Sequence, residues 1–86
     1  MLRIQMKSKA HKQLRKLHRK DQRRIAACID ELAHDPYLGK RLEGSLSGYW
    51  SIRVWPYRII YTIEKKIVTV TVVAIGDKKD AYNKLK

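Results

Sequence analysis

The chain of 86 residues has one cysteine, no phenylalanine, two prolines, four glycines and only eight acidic residues. A lone Cys28 cannot close an intrachain disulfide or supply a cysteine-based zinc site, so packing and hydrogen bonds alone must hold the fold, and a reducing cytoplasm fits. Nothing approaches the roughly 20 apolar residues that span a bilayer. The longest apolar-leaning stretch, residues 67–75, is interrupted by Thr69 and Thr71. Residues 1–7 lack the apolar core of a secretion signal, so a cytoplasmic protein with no membrane partner is expected. A chain of this length buries roughly 60–70% of its unfolded surface, enough for one modest core. The expectation is a single domain over residues 1–86, with no separate cofactor domain.

Positive charge is what the chain has in excess. Its 20 Lys+Arg give a formal net charge of +12, and they are unevenly placed. Residues 1–24 carry ten of them with Asp21 as the only acid, or +9, whereas the remainder carries ten with seven acids, or +3. A field of this sign attracts polyanions, of which nucleic acid is the commonest in cytoplasm, although an acidic protein or an anionic lipid would feel the same pull. Lys9, Lys12, Arg15, Lys16, Arg19, Lys20 and Arg23 are the candidate contacts. The alternative is that many of them serve solubility.

Periodicity sets the expected architecture. Leu2, Ile4 and Met6 alternate with Arg3 and Gln5, as in a short strand with one buried face. Ser8 is a candidate cap for a basic amphipathic helix over residues 8–18 with Ala10, Leu14 and Leu17 inside. Asp21 is a candidate cap for a second helix whose stripe is Ile25, Cys28, Ile29, Leu32 and Ala33, ending near Asp35-Pro36. Residues 37–48, with three glycines, read as a loop anchored by Leu38, Leu42 and Leu46. The period then becomes two, and residues 50–54, 57–63 and 67–75 read as three consecutive antiparallel strands. Gly76 ends the last of these, and residues 77–86 read as a short polar tail. The fold class is therefore α+β: an N-terminal strand, a two-helix hairpin and a three-stranded antiparallel meander, with the helices on one face of a mostly antiparallel sheet. The other face is expected to be open, with Ser51 and Arg53 on it if Trp50, Ile52 and Val54 pack on the helices.

Few catalytic constellations are present. His11, His18 and His34 all fall in the helices, the acids are dispersed, and Cys28 lies on an apolar stripe, so neither a metal nor any other cofactor is expected. What remains is a set of cations and aromatics on the sheet and tail: Arg53, Arg58, Tyr61, Lys78, Lys79 and Tyr82. Such a set suits an RNA strand, with cations on phosphates and rings on unpaired bases. It suits equally well core tyrosines with one wet edge and sheet-surface arginines holding a carboxylate.

The order of the residues is more specific. Leu42-Glu43-Gly44, the segment Gly48-Tyr49-Trp50-Ser51-Ile52-Arg53-Val54, the hairpin continuation Tyr57-Arg58-Ile59-Ile60-Tyr61 and the tail Gly76-Asp77-Lys78-Lys79-Asp80-Ala81-Tyr82, preceded by two basic helices, resemble the RelE/ParE superfamily of bacterial and archaeal toxins. The likeness covers nearly the whole chain. Within the RelE branch it implies an endoribonuclease, an mRNA interferase that cuts messenger RNA in the ribosomal A site without metal and so inhibits translation. The implied step is attack of a 2′-hydroxyl on the adjacent phosphate. The ParE branch implies instead a non-enzymatic inhibitor of DNA gyrase, and a catalytically inactive RNA-binding module is a third reading.

Carried over by position, the resemblance implies that Arg58 clamps the scissile phosphate, that Arg53 is a second cation on the preceding strand, and that Lys78 is leaving-group acid or second phosphate ligand. It further implies that Tyr82 stacks on or orients the base. Lys79, one of the tail cations above, is a further candidate RNA contact. Two positions depart from the RelE pattern: Ser51 stands where a second lysine is usual, and Lys78 replaces an arginine. Lysine gives up its proton far more readily than arginine, so the exchange bears on which group moves a proton; Lys78 or Lys79 is a better candidate base than Arg53. The implied partners are a cognate acidic, RelB-like antitoxin, the ribosome and mRNA.

Overall fold

The computed structural model describes residues 2–82. Its elements run β1 (Arg3–Met6), α1 (Ser8–Arg15), α2 (Arg19–His34), β2 (Lys40–Arg41), β3 (Trp50–Val54), β4 (Tyr57–Glu64), β5 (Thr69–Gly76) and α3 (Lys78–Tyr82), with short 3-10 turns at Pro36–Leu38, Gly44–Leu46 and Lys65–Ile67. The five strands form one sheet in the order β1-β5-β4-β3-β2. β1 lies parallel to β5, and the other pairings are antiparallel. The interior position of β5, between β1 and β4, explains its composition. A strand flanked on both sides and covered on both faces reads as a nearly continuous apolar run, and Val70, Val72, Ala74 and Ile75 are all buried.

One face of the sheet carries the main core. Ile25, Ile29 and Leu32 of α2 and Ala10 of α1 pack against Ile59, Tyr61, Val70, Val72 and Ile75, with Trp50, Ile52, Val54 and Tyr57 at the margin. Full burial of a side chain such as Ile25 or Leu32 contributes roughly 1.5–3 kcal/mol. The helix hairpin is clamped by Gln22, whose side-chain amide donates to the Leu17 carbonyl at 2.8 Å and the Arg15 carbonyl at 3.3 Å. α1 is tied to the sheet where the Ile75 N–H donates to Gln13 Oε1 at 2.9 Å.

Several expectations are corrected. Neither helix is capped as expected. Lys7 and His18 occupy the cap positions without side-chain bonds, and Asp21 sits in the first turn of α2, where it accepts from Tyr57 Oη at 3.1 Å and pairs with Arg24 at 3.2 Å. The expected loop over residues 37–48 contains the two-residue edge strand β2, and Leu38 is exposed instead of anchoring it. The expected last strand starts at Thr69 because residues 65–67 form a turn, with Val68 in the left-handed region at φ 52°.

The expected polar tail forms α3 up to Tyr82, and its final four positions lie outside the described residues. This helix covers part of the face that was expected to be open. Ala81 joins Ile60 and Ala74 in a second, smaller core, with Tyr49 and Tyr82 beside them. A bulge makes this possible. Ile60 pairs with Ala74 and Tyr61 with Val72, leaving Val73 without a partner on β4, and the extra residue turns Ala74 to the outer face while Val72 and Ile75 both stay in the main core.

Candidate functional site

The outer face of the β3–β4 hairpin organises the candidate residues. Arg53 and Arg58 are direct partners in the ladder, and Arg58 is paired on its other side with Gly76 of β5. The alternation that puts Trp50, Ile52 and Val54 in the main core turns Ser51 and Arg53 to the opposite face. Directly opposed like charges in a sheet are unfavourable unless a counter-charge intervenes. The one ion pair among the described residues is Arg24 with Asp21, so neither arginine holds a carboxylate there.

Helix α3 completes the arrangement. Asp77 accepts a hydrogen bond from the Asp80 N–H at 2.8 Å, and the Ala81 N–H bonds to the Asp77 carbonyl at 2.8 Å, which turns the chain sharply after β5. Gly76 allows the turn, since a Cβ there would lie 3.0 Å from that of Asp80. Tyr82 is thereby laid back over the sheet, where its Oη donates to Ser51 Oγ at 3.1 Å and its ring centroid lies 6.0 Å from the Arg58 guanidinium. The result is a half-buried phenol flanked by a half-buried and an exposed arginine. Lys78 and Lys79 are exposed in the first turn of α3, just past the Gly76 that pairs with Arg58.

The structure therefore gathers Arg53, Arg58 and Tyr82 on one face and puts Lys78 and Lys79 on the helix beside it. Tyr61 does not join them. It is fully buried on the opposite side, donating to the Pro36 carbonyl at 2.8 Å and accepting from the Gly39 N–H at 3.1 Å. Burial pushes its phenol up to about 12. Ser51, expected on the open face, lies there but is buried beneath Tyr82. Sequence reasoning gave no role to Ser51 as Tyr82's partner or to Asp77 as the cap of α3. For Asp77 the signal was available, because an Asp three residues before another acid is a helix-start pattern.

The basic residues of the helices separate into two groups. Lys9 and Lys12 of α1 and Lys16 just past its end line a cleft of 720 Å³ whose other wall includes Tyr57, Gly76, Asp77 and Asp80. Arg15, Arg19, Lys20 and Arg23 are exposed and do not line it. Arg53, Arg58 and Tyr82 do not line this cleft, whereas Gly76, the ladder partner of Arg58, does. Among the described residues no group of three or more His, Cys, Asp or Glu is placed to hold a metal ion, and no helix is long and apolar enough to cross a membrane. Burial, and secondarily Glu31, raises the Cys28 thiol above its usual range, as suits a packing residue.

A mixed five-stranded sheet with a basic helix hairpin on one face is the fold of the RelE toxins. The isolated RelE toxin of E. coli superimposes with a TM-score of 0.80, at 21% identity and over 90% of this chain and 84% of that one. A chain of the toxin–antitoxin complex RelBE2 from Mycobacterium tuberculosis does so with a TM-score of 0.78, at 26% identity over 90% and 98%. The family model of the ParE toxin of type II toxin–antitoxin systems, parDE, matches residues 4–82. Toxin RelG of Mycobacterium tuberculosis is 31% identical over 75 residues, 81% of this chain and 86% of that protein. The chain belongs to the RelE/ParE superfamily of type II toxin–antitoxin toxins.

Proposed function

We propose that this toxin is a ribosome-dependent endoribonuclease that cleaves mRNA in the A site and so stops translation. The observation that carries the reading is the opposed pair Arg53 and Arg58, without an acidic partner among the described residues and adjoining the Tyr82 ring. Two guanidinium groups on an open sheet face suit a phosphodiester, because each can donate two parallel hydrogen bonds to its oxygens.

In the proposed reaction the ribose 2′-oxygen gives its proton to a base, for which Lys78 or Lys79 is the candidate, and bonds to the adjacent phosphorus. The bond from phosphorus to the 5′-oxygen of the next nucleotide breaks, and that oxygen takes up a proton. The products are a 2′,3′-cyclic phosphate and a free 5′-hydroxyl. Arg58 binds the scissile phosphate and stabilises the charge that grows on it, with Arg53 as second cation. Lys78 protonates the leaving oxygen or binds the same phosphate, and Tyr82, whose hydroxyl donates to Ser51, orients a base. The shallow surface suits a substrate positioned by another body, since holding the 2′-hydroxyl in line with the phosphorus is worth several kcal/mol. Lys9, Lys12 and Lys16 in the cleft, Arg15, Arg19, Lys20 and Arg23 on the helices and Lys79 on α3 supply long-range attraction to RNA. An acidic RelB-like antitoxin is the proposed partner that masks this charge, and the cytoplasm the proposed location.

The description of the matching family favours a second reading, a ParE-like inhibitor of DNA gyrase without RNA chemistry. Brief expression with mapping of message ends on translating ribosomes, run beside a gyrase supercoiling assay, separates the two. Codon-phased cuts that disappear in Arg58→Ala support the nuclease, and a supercoiling defect with intact messages refutes it.

A further inference from the structure

The β3–β4 turn carries a feature that neither the fold nor the proposed reaction uses. Trp55 is 68% exposed, the most exposed large hydrophobic side chain among those described, and it belongs to neither core cluster. The turn around it is nevertheless held firmly. Arg24 Nη2 donates to the Trp55 carbonyl at 2.8 Å, and two residues later Tyr57 Oη donates to Asp21 at 3.1 Å, so both anchors are on the first half of α2. That segment presents Arg19, Lys20, Arg23 and Arg24, all exposed, with the carboxylate of Asp21 engaged by Arg24 and Tyr57.

We propose that Trp55 is a base-stacking platform for an unpaired nucleotide of RNA, with the cations of the α2 N-terminal half on the flanking phosphates. The inference rests on RNA being the toxin's partner, and it adds a contact outside the arginine pair. An indole face accepts any base, and stacking of this kind is tolerant of sequence. The two anchors hold the turn beside the helix in advance, which reduces the ordering cost of binding. An acidic protein would also be drawn to these cations. However, protein hot spots sit in apolar pockets ringed by contacts that exclude water, whereas Trp55 lies outside both apolar clusters with the Arg24 guanidinium bonded to its own carbonyl, an arrangement suited to a flat base next to a phosphate.

The test uses the full-length toxin and a fluorescein-labelled twelve-nucleotide oligoadenylate, with binding read by anisotropy and stacking by tryptophan quenching with the unlabelled oligomer. The oligomer is expected to quench wild-type fluorescence, and Trp55→Phe, which leaves Trp50 as the only indole, is expected to abolish the quench. Trp55→Phe keeps affinity within about threefold, and Trp55→Ala weakens it by about five- to a hundredfold. A quench that persists in Trp55→Phe, or an unchanged affinity in Trp55→Ala, overturns the proposal. Tighter Trp55-dependent binding of polyglutamate than of oligoadenylate also overturns it, in favour of an acidic protein. The readout involves no cleavage, so it fails or holds separately from the nuclease reading: ribosomal cutting that is normal in Trp55→Ala with no quench in the wild type removes this contact alone.

Discussion

Arg53 and Arg58 face each other across the β3–β4 ladder, and no acidic side chain among the described residues neutralises either. Such a pair is held against its own repulsion by the strands beneath it, where Ile52 pairs with Ile59 and Val54 with Tyr57. Replacing either arginine should therefore relieve repulsion and leave stability unchanged or slightly raised, while activity falls. For Arg58→Ala the expected loss in single-turnover cleavage on programmed ribosomes is about 100- to 1000-fold, the usual scale for removing a group that stabilises transition-state charge. Arg58→Lys keeps the charge without the paired donors, and its rate should fall between the two. Thermal unfolding measured on the same samples checks the stability half of the statement.

Tyr82 is held in the site through its hydroxyl, which donates to Ser51, and through its ring, which the Arg58 guanidinium overlies. Tyr82→Phe removes the hydrogen bond and keeps the ring, so a loss of less than tenfold is expected, whereas Tyr82→Ala should lose considerably more. Ser51→Ala should match Tyr82→Phe, and the double variant should be no worse than either single one. Cleavage rates for the four proteins make a double-mutant cycle that reads the coupling directly.

The helix that delivers Tyr82 depends on Asp77. Asp77→Ala leaves the Asp80 N–H without its acceptor, a change that costs about 0.5–2 kcal/mol of local helix stability. Faster amide exchange in α3 with slow exchange retained in β4 and β5, together with reduced cleavage, is the expected result.

This part of the molecule is also where sequence reasoning fell short. The apolar alternation of β3 and the stripe of α2 are strong periodic signals, and both match the observed core. α3 has five residues and buries only Ala81, and β2 has two, so neither offers enough of a period to be seen. Tyr61 and Arg58 lie in the same hairpin, and composition alone puts both among the candidate RNA contacts. The sheet parity separates them, however: Tyr57, Ile59, Tyr61 and Ile63 share the core face, while Arg58 and Ile60 point the other way. Residues 57–63 contain adjacent apolar residues at Ile59 and Ile60, and only the second small core formed by α3 explains why both are buried.

Tyr61 itself is a structural residue with a measurable signature. Tyr61→Phe strands the buried Pro36 carbonyl and the Gly39 N–H, at a cost of about 1–3 kcal/mol. Gly39→Ala should destabilise further, since its Cβ would collide with the Tyr61 hydroxyl and lie 2.7 Å from the Ser51 carbonyl oxygen. Urea denaturation checks both.

Alkaline unfolding should follow from the same group. The Tyr61 phenol, raised by burial to about 12 in the fold, titrates near 10 when unfolded. Its neutral form is thus favoured by folding. The contribution is complete below pH 10, declines as pH rises between the two values and is gone above about 12. Urea midpoints recorded across pH 9–12 should fall for the wild type and fall less steeply for Tyr61→Phe.

The most direct test of the central claim uses purified toxin, a programmed ribosome with an open A site, and end-group analysis of the message fragments. Cuts at that codon bearing a 2′,3′-cyclic phosphate upstream and a 5′-hydroxyl downstream are expected, with both termini lost in Arg58→Ala. Intact message under these conditions, or cuts that Arg58→Ala leaves undiminished, would contradict that claim.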